Sequence, residues 1–259
     1  MYQESGGSRY DHLKGSFWPV RAMIAKMASS VMARTGYTHK PGPYSSHTLL
    51  VNSLEPRGNG KRVLDVGCAS GYLAGILAQR GYEVVGIERA GGYGDAFPED
   101  VTLVEADLDR GMPPLRGRFS YVICGDILEH LRDPGSLLDQ IQDVLEPDGR
   151  LIASLPNSGN LYFRLKVLSG RFTKEDKGLF DRTHLHFYTW KGWRELFAGG
   201  GFQIESWKVS GIPVGLAAPR WDGTAVVRAM EWLAHAVARV WPTMFAYQFV
   251  VTSLRKWNL

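Results

Sequence analysis

The 259-residue chain predicts an α/β fold built on a mostly parallel sheet. Three observations lead there. From Lys61 onward, short and nearly all-apolar runs alternate with segments of helical period. Strands that are apolar on both faces belong in a sheet with helices packed on each side. Each of the first four runs closes near an acid: RVLDVG holds Asp65, YEVVGIE ends in Glu88, VTLVEAD in Asp107 and FSYVICGD in Asp126. Finally, the first run passes through a glycine-bearing turn directly into a helix, the usual opening of a ligand-binding parallel sheet.

Taken in order, residues 1 to about 10 are polar and glycine-rich and read as a loose end. Ser16 to Met32 reads as a helix: Pro19 falls in its first turn, and Val20, Met23, Ile24, Met27 and Val31 recur at helical spacing. Pro41-Gly42-Pro43 breaks the chain before a short helix, about Ser45 to Leu54, and a linker, Glu55 to Gly60. Residues 1–57 thus form a helical N-terminal segment, and 58–259 the main domain. After the first strand, SGYLAGILAQRG is a helix with Ser70 as the expected N-cap and Gly81 as its stop. The segment after Glu88, AGGYGDAFPED, is too short and glycine-rich for a full helix. Asp133-Pro134 opens a helix that buries Leu137, Leu138, Ile141, Val144 and Leu145, and Pro147-Asp148-Gly149 turns into the strand RLIASLP.

Residues 157–188 show neither a clear strand nor a long helix and read as an insertion. Thr189 to Ala198 is a helix with Trp190, Trp193, Leu196 and Phe197 on one side; FQIESWKV is a strand. A second insertion, 211–242, holds a helix capped by Asp222 or Thr224 and running to about Trp241. Val226, Met230, Leu233, Val237 and Val240 stripe one side of it, and Arg228, Glu231, His235 and Arg239 the other. Packing of its apolar stripe, and that of helix 16–32, against the domain is the first expectation; a homodimer interface or a lid over an apolar substrate is the second. FAYQFVVTSLR is the last strand.

Composition excludes several classes. With 44% hydrophobic and 22% charged residues the chain buries a core and has no bias toward disorder. Two cysteines, Cys68 and Cys124, cannot staple a fold of this size, and both sit in apolar runs that suit reduced thiols in a cytoplasmic protein. No uncharged apolar stretch approaches the ~18 residues of a membrane span, and the N-terminus lacks the basic start and apolar run of a signal peptide.

The acids at successive strand ends sharpen the chemistry. Glycine at 67 and 71 lets backbone approach a ligand, and the helix start offers free N–H groups. Glu88 lies about 20 residues on, where an acid can accept both hydroxyls of a ribose. Asp107 can hold an adenine amino group. A dehydrogenase is disfavoured, because an acid such as Asp65 behind the turn would repel a pyrophosphate and suits an ammonium group instead.

These residues, VLDVGCASG, VVGIE, VEAD, ICGDILEHLRDP and LEPDGRLIASLPN, resemble the class I S-adenosylmethionine-dependent methyltransferases over about Lys61 to Asn157. The resemblance implies a Rossmann-like seven-stranded sheet, mostly parallel with the last strand antiparallel, and S-adenosylmethionine as cofactor. Asp65, Gly67, Cys68 and Gly71 would surround its methionine part and Glu88 its ribose. Asp107 and Leu108 would hold its adenine, with Asp126 and Ile127 bordering the methionine side. One departure is Ala69, where family members often carry glycine. That departure and the short segment after Glu88 leave a second class open, a binding protein that keeps the fold without catalysis.

The insertion PN…GRF…G…DRTHLHFYT resembles bacterial methyltransferases of saccharides and natural products, which implies O-methylation of a small-molecule acceptor. His184 or His186 is the candidate general base, since a histidine suits proton transfer near neutral pH. The same Asp181-x-x-His184-x-His186 pattern is also read as a hydrogen-bonded lid; a metal site from one short loop is disfavoured, and none is expected. His130, Asn157, Tyr162, Arg164 and Arg182 are candidate acceptor contacts. Aromatic and basic residues alternate here, which keeps an RNA methyltransferase as an alternative, but no separate RNA-binding module is present and nucleic acid is not expected as a partner.

Charge divides the same way. The net charge is +4, yet residues 58–156 hold 9 basic and 16 acidic residues, net −7, and the rest holds 21 and 10, net +11. The basic character belongs to the segments around the cofactor core, with 157–188 at 6 basic and 3 acidic, net +3. An anionic acceptor is the expectation this favours.

Overall fold

In a computed structural model, which describes residues 42–94, 96–217 and 219–256, the apolar runs pair into one seven-stranded sheet. Its strands are β1 (Arg62–Val66), β2 (Glu83–Glu88), β3 (Val101–Glu105), β4 (Phe119–Gly125), β5 (Leu145–Pro156), β6 (Phe202–Ser210) and β7 (Gln248–Arg255). They lie in the order β3-β2-β1-β4-β5-β7-β6. β1 to β5 pair in parallel, and β7 runs antiparallel to both β5 and β6. The order reverses between β1 and β4, which opens the crevice where such sheets bind ligands, beyond the carboxyl ends of the strands.

The helices are α1 (Ser46–Val51), α2 (Tyr72–Gln79), α3 (Pro134–Val144), α4 (Leu161–Leu168), α5 (Trp190–Gly199), α6 (Val214–Ala217), α7 (Ala225–Val240) and α8 (Pro242–Phe245). One core cluster joins α3 and α5 to the sheet through Leu138, Ile141, Trp193 and Phe197; the other joins α1 and α2 through Leu50, Leu73 and Leu77. Trp193 is fully buried and its indole N–H donates to the Pro156 carbonyl at 2.8 Å, so the ring fills the core with its one polar atom satisfied.

Several expectations shift by local physics. The N-cap of α2 is Gly71 rather than Ser70: its φ of 72° is left-handed, and no side chain caps the helix. The Pro147–Gly149 turn falls inside β5, where the β4–β5 register slips between Phe119 and Tyr121. No helix forms between β2 and β3 among the described residues. Thr224, not Asp222, caps α7 by accepting from Val227 N. The expected stripe of α7 is there, but it faces outward: Val226, Met230, Leu233 and Val240 are more than half exposed, while only Val227 and Ala238 are buried. The helix expected at Ser16–Met32, with most of segment 1–57, lies outside the described residues. Among the described residues no helix is long and apolar enough to cross a membrane.

Candidate active site

β1 delivers Asp65 to the centre of the site. It is 2% exposed, and its Oδ2 is buried without a hydrogen-bond partner. Burial, then the charge of Glu88, push the carboxyl up to about 7, against one opposing hydrogen bond from the Ala74 backbone. The turn beyond it is held by Gly67 N and Cys68 N, which both donate to the Ile87 carbonyl at 2.9 and 3.0 Å. Ala69 adopts φ 46°, a left-handed conformation that disfavours any Cβ, and its amide donates to Glu88 Oε2 at 2.8 Å. The other oxygen of Glu88 accepts from Arg89 N at 3.0 Å. A carboxylate at the end of β2 is thus stretched across the mouth of the β1 turn.

Glycine matters at two positions here. A Cβ on Gly67 would stand 2.7 Å from Ile127 Cγ1, and one on Gly71 2.7 Å from the Phe97 ring. Both glycines have positive φ, so the turn is bare and tightly backed. Cys68 is buried and packs on Gly86 of β2; its thiol is raised by burial and is inert.

Asp126 follows β4 with φ 53°. Its amide donates to Ser154 Oγ at 2.9 Å, and its Oδ1 accepts from Ser154 Oγ and, at 2.7 Å, from Gln248 Nε2. Three strands therefore meet on one carboxylate. Asp107, exposed after β3, accepts from Asp109 N at 3.1 Å and pairs with Arg110 at 3.4 Å; Leu108 is half-buried against the core.

Beyond Asp126, a short 3₁₀ turn (Leu128–His130) carries Glu129, 1% exposed, and His130. The insertion folds back on it: Leu185 N and His186 N donate to the Glu129 carbonyl at 2.9 and 3.2 Å. His184 is 6% exposed, with Nε2 at 3.8 Å from Glu129 Oε1; His130 Nε2 lies 4.0 Å from the same oxygen. The two rings meet edge-on at 4.8 Å. Burial and then the neighbouring His130 push His184 down to about 4, against the pull of Asp181 and Asp126. His130 is lowered too, first by burial. Both shifts favour the neutral form of the imidazole. The ligand atoms of Glu129, His130 and His184 lie within 4.8 Å of one another, a spacing that one cation could bridge.

The other expected residues are placed differently. His186 Nε2 bonds the Leu131 carbonyl at 2.9 Å and its ring stacks on Tyr188, so it holds the insertion down. Asn157 is a correction as an acceptor contact: it is fully buried, its amide donates to Ala246 O at 2.9 Å and Thr243 O at 3.3 Å, and its oxygen accepts from Gly159 N. Arg164 donates to Gly159 O at 2.6 Å, and Arg182 pairs with Asp176. Tyr162 is half exposed, edge-on to Phe180. Glu129, Ser154 and Gln248 were not singled out in the sequence. The last two are polar residues inside apolar strands, which was the available signal.

A family model described as a methyltransferase domain matches residues 43–206. Ubiquinone biosynthesis O-methyltransferases are similar: that of Acinetobacter baumannii (strain AYE) is 29% identical over 135 residues, 48% of this chain and 57% of the relative. That of Pseudomonas aeruginosa (strain LESB58) is 29% identical over 136 residues, with the same shares. The chain spans about half the length of the curated relatives it matches. Among solved structures, the magnesium protoporphyrin IX methyltransferase of Synechocystis PCC 6803 with bound SAH aligns at TM-score 0.51 and 19% identity, over 98% of this chain and 90% of that one. The Burkholderia thailandensis 1,6-didemethyltoxoflavin-N1-methyltransferase, with its acceptor and S-adenosylhomocysteine bound, aligns at 0.55 and 14%, over 98% and 93%. These two show the fold. The family match covers more than half of the chain, which therefore belongs to the class I S-adenosylmethionine-dependent methyltransferases.

Proposed function

We propose that this enzyme methylates a hydroxyl oxygen of a small-molecule acceptor, a saccharide or natural product carrying an anionic group, and that His184 takes the hydroxyl proton. The observation that carries the reading is the pair of imidazoles over Glu129, His184 buried and His130 partly so, next to the carboxylate that follows β4. Asp126 acts electrostatically on both rings, which supports reading them as the acceptor side of the methyl-transfer site.

The residues present fit the cofactor. The buried Oδ2 of Asp65 is an acceptor waiting for a donor, and an ammonium group would both bond it and restore its charge. The bare turn at Gly67 and Gly71 admits close approach, and Glu88 would hold the ribose hydroxyls. Asp107 and Leu108 supply the polar and apolar sides of an adenine site. When bound, S-adenosylmethionine supplies a methyl already activated by its sulfonium. What remains for the protein is in-line placement of the acceptor oxygen and somewhere for its proton to go.

The relatives named O-methyltransferases support oxygen as the acceptor atom. The anionic preference rests on the basic insertion, narrowed by its internal bonds. Arg164, Lys166, Lys174 and Arg182 are engaged within the insertion, which points to Arg171 and Lys177 as the cations for the acceptor. The deciding experiment is single-turnover methylation of phenolic and saccharide hydroxyls, with and without a carboxylate, by the enzyme and its His184→Gln and His186→Gln variants. His184→Gln should slow transfer on the order of 100-fold while leaving the cofactor Kd unchanged. An unchanged rate would overturn the base, and a preference for amine acceptors would overturn the oxygen assignment.

A further inference from the structure

Three side chains that the sequence keeps apart meet beyond β4. Glu129 and His130 ride on the 3₁₀ turn Leu128–His130, and His184 arrives from the insertion. His184 Nε2 stands 3.8 Å and His130 Nε2 4.0 Å from the same oxygen, Glu129 Oε1. All three candidate ligand atoms fall within 4.8 Å of one another. A tetrahedral zinc with bonds of about 2.0–2.2 Å holds its ligand atoms about 3.3–3.6 Å apart, so small side-chain rotations close the set. The one-loop triad of Asp181, His184 and His186 is a different set, and two of its members are engaged elsewhere. Asp181 Oδ1 accepts from Thr183 N and Oγ1 at 2.8 and 2.6 Å, and His186 Nε2 bonds the Leu131 carbonyl at 2.9 Å.

We infer that Glu129, His130 and His184 form a binding site for zinc, with a fourth position left for water. Two imidazole nitrogens and one carboxylate oxygen are a donor set that zinc takes in open sites, whereas magnesium and calcium prefer shells of oxygen. The ligands are already ordered: Glu129 is 1% and His184 6% exposed, so little side-chain freedom is lost on binding. The His130 side chain is 14% exposed and gives the ion its way in. Burial favours the neutral form of both rings, which is the form that ligates a metal. Each ring also meets a backbone group, Thr183 for His130 and Leu179 for His184, the kind of partner that fixes a ligating imidazole. An ion here takes the lone pair of His184 Nε2. Zinc therefore competes with the acceptor's proton for His184 and slows methyl transfer. That consequence rests on His184 being the base; the site itself does not.

Metal binding by the full chain, first stripped with a chelator, tests this. Competition with a chromophoric chelator should give one zinc per chain, and cobalt in its place should show the visible absorption of a four-coordinate ion. His130→Gln and His184→Gln should each weaken zinc binding by about 100-fold, while His235→Gln, on α7, should leave it unchanged. An unchanged cofactor Kd in these variants shows that they are folded. Saturating zinc should slow single-turnover methylation of a phenolic acceptor on the order of 100-fold, and EDTA should restore it. Zinc bound through both histidines with an undiminished rate would remove the base assignment and leave the site standing. Zinc binding that survives both histidine substitutions would overturn the site in favour of ligands elsewhere in the chain. Absence of stoichiometric binding, or a six-coordinate cobalt spectrum, would overturn it as well.

Discussion

Asp65 shows how one residue couples stability to ligand capture. Its carboxyl is buried with one oxygen unsatisfied, so ionising it in the free protein is costly. Asp65→Asn should therefore raise stability above pH 7, by on the order of a few kcal/mol in urea unfolding, and abolish measurable cofactor binding in calorimetry. Loss of both stability and binding would show that the carboxylate is needed structurally. Ala69 is a second case. Its φ of 46° costs about 1–2 kcal/mol for a residue with a Cβ, so Ala69→Gly should gain about 1 kcal/mol in the same assay. Asp65, Glu88 and Asp126 were legible in the sequence because a strand end is a local pattern. Ser154 and Gln248 were not, because their partner lies 28 and 122 residues away and only the sheet brings them together.

At the scale of elements, the sequence fixes existence and type better than orientation. Seven strands and the main helices were readable from period and punctuation. For α7 the period showed that one face is apolar, but periodicity carries no information on which face meets the domain. The insertion was similarly opaque, since its residues are held by backbone carbonyls rather than by a pattern. Asn157 ties its base to α8. Asn157→Ala should leave the Gly159 N–H and the Thr243 carbonyl without their bonds and cost about 2–3 kcal/mol. It should also increase proteolysis within 157–188 while leaving cofactor affinity nearly unchanged. A drop in cofactor affinity as large as the drop in stability would mean that the insertion also shapes the cofactor site.

At the scale of the whole molecule, an acidic core is flanked by basic additions, a division already visible in the charge count. The pH response follows from Asp65. Between about pH 4 and 7 the unfolded chain carries its charge while the folded, cofactor-free protein holds the proton. This group's contribution to stability is therefore fully present below pH 4 and is lost as pH rises through 7. Cofactor affinity should run the opposite way, rising toward pH 7 and levelling above it, as calorimetry across pH 5.5–8.5 would show. A flat affinity profile would contradict the assignment. His184, held down to about 4, should add no acid limb to turnover above pH 5.

The placement of β7 has a consequence for how the enzyme is made. β7 slots between β5 and β6, and Gln248 at its head is what reaches Asp126. During synthesis, the ribosome releases β1 to β4 more than 100 residues before it releases this strand. A nascent chain can therefore assemble the turn after β1 early, but it leaves the edges of β5 and β6 unpaired until β7 emerges. Such a chain offers open sheet edges to chaperones or to its neighbours, and the bond from Gln248 to Asp126 forms only after β7 has emerged.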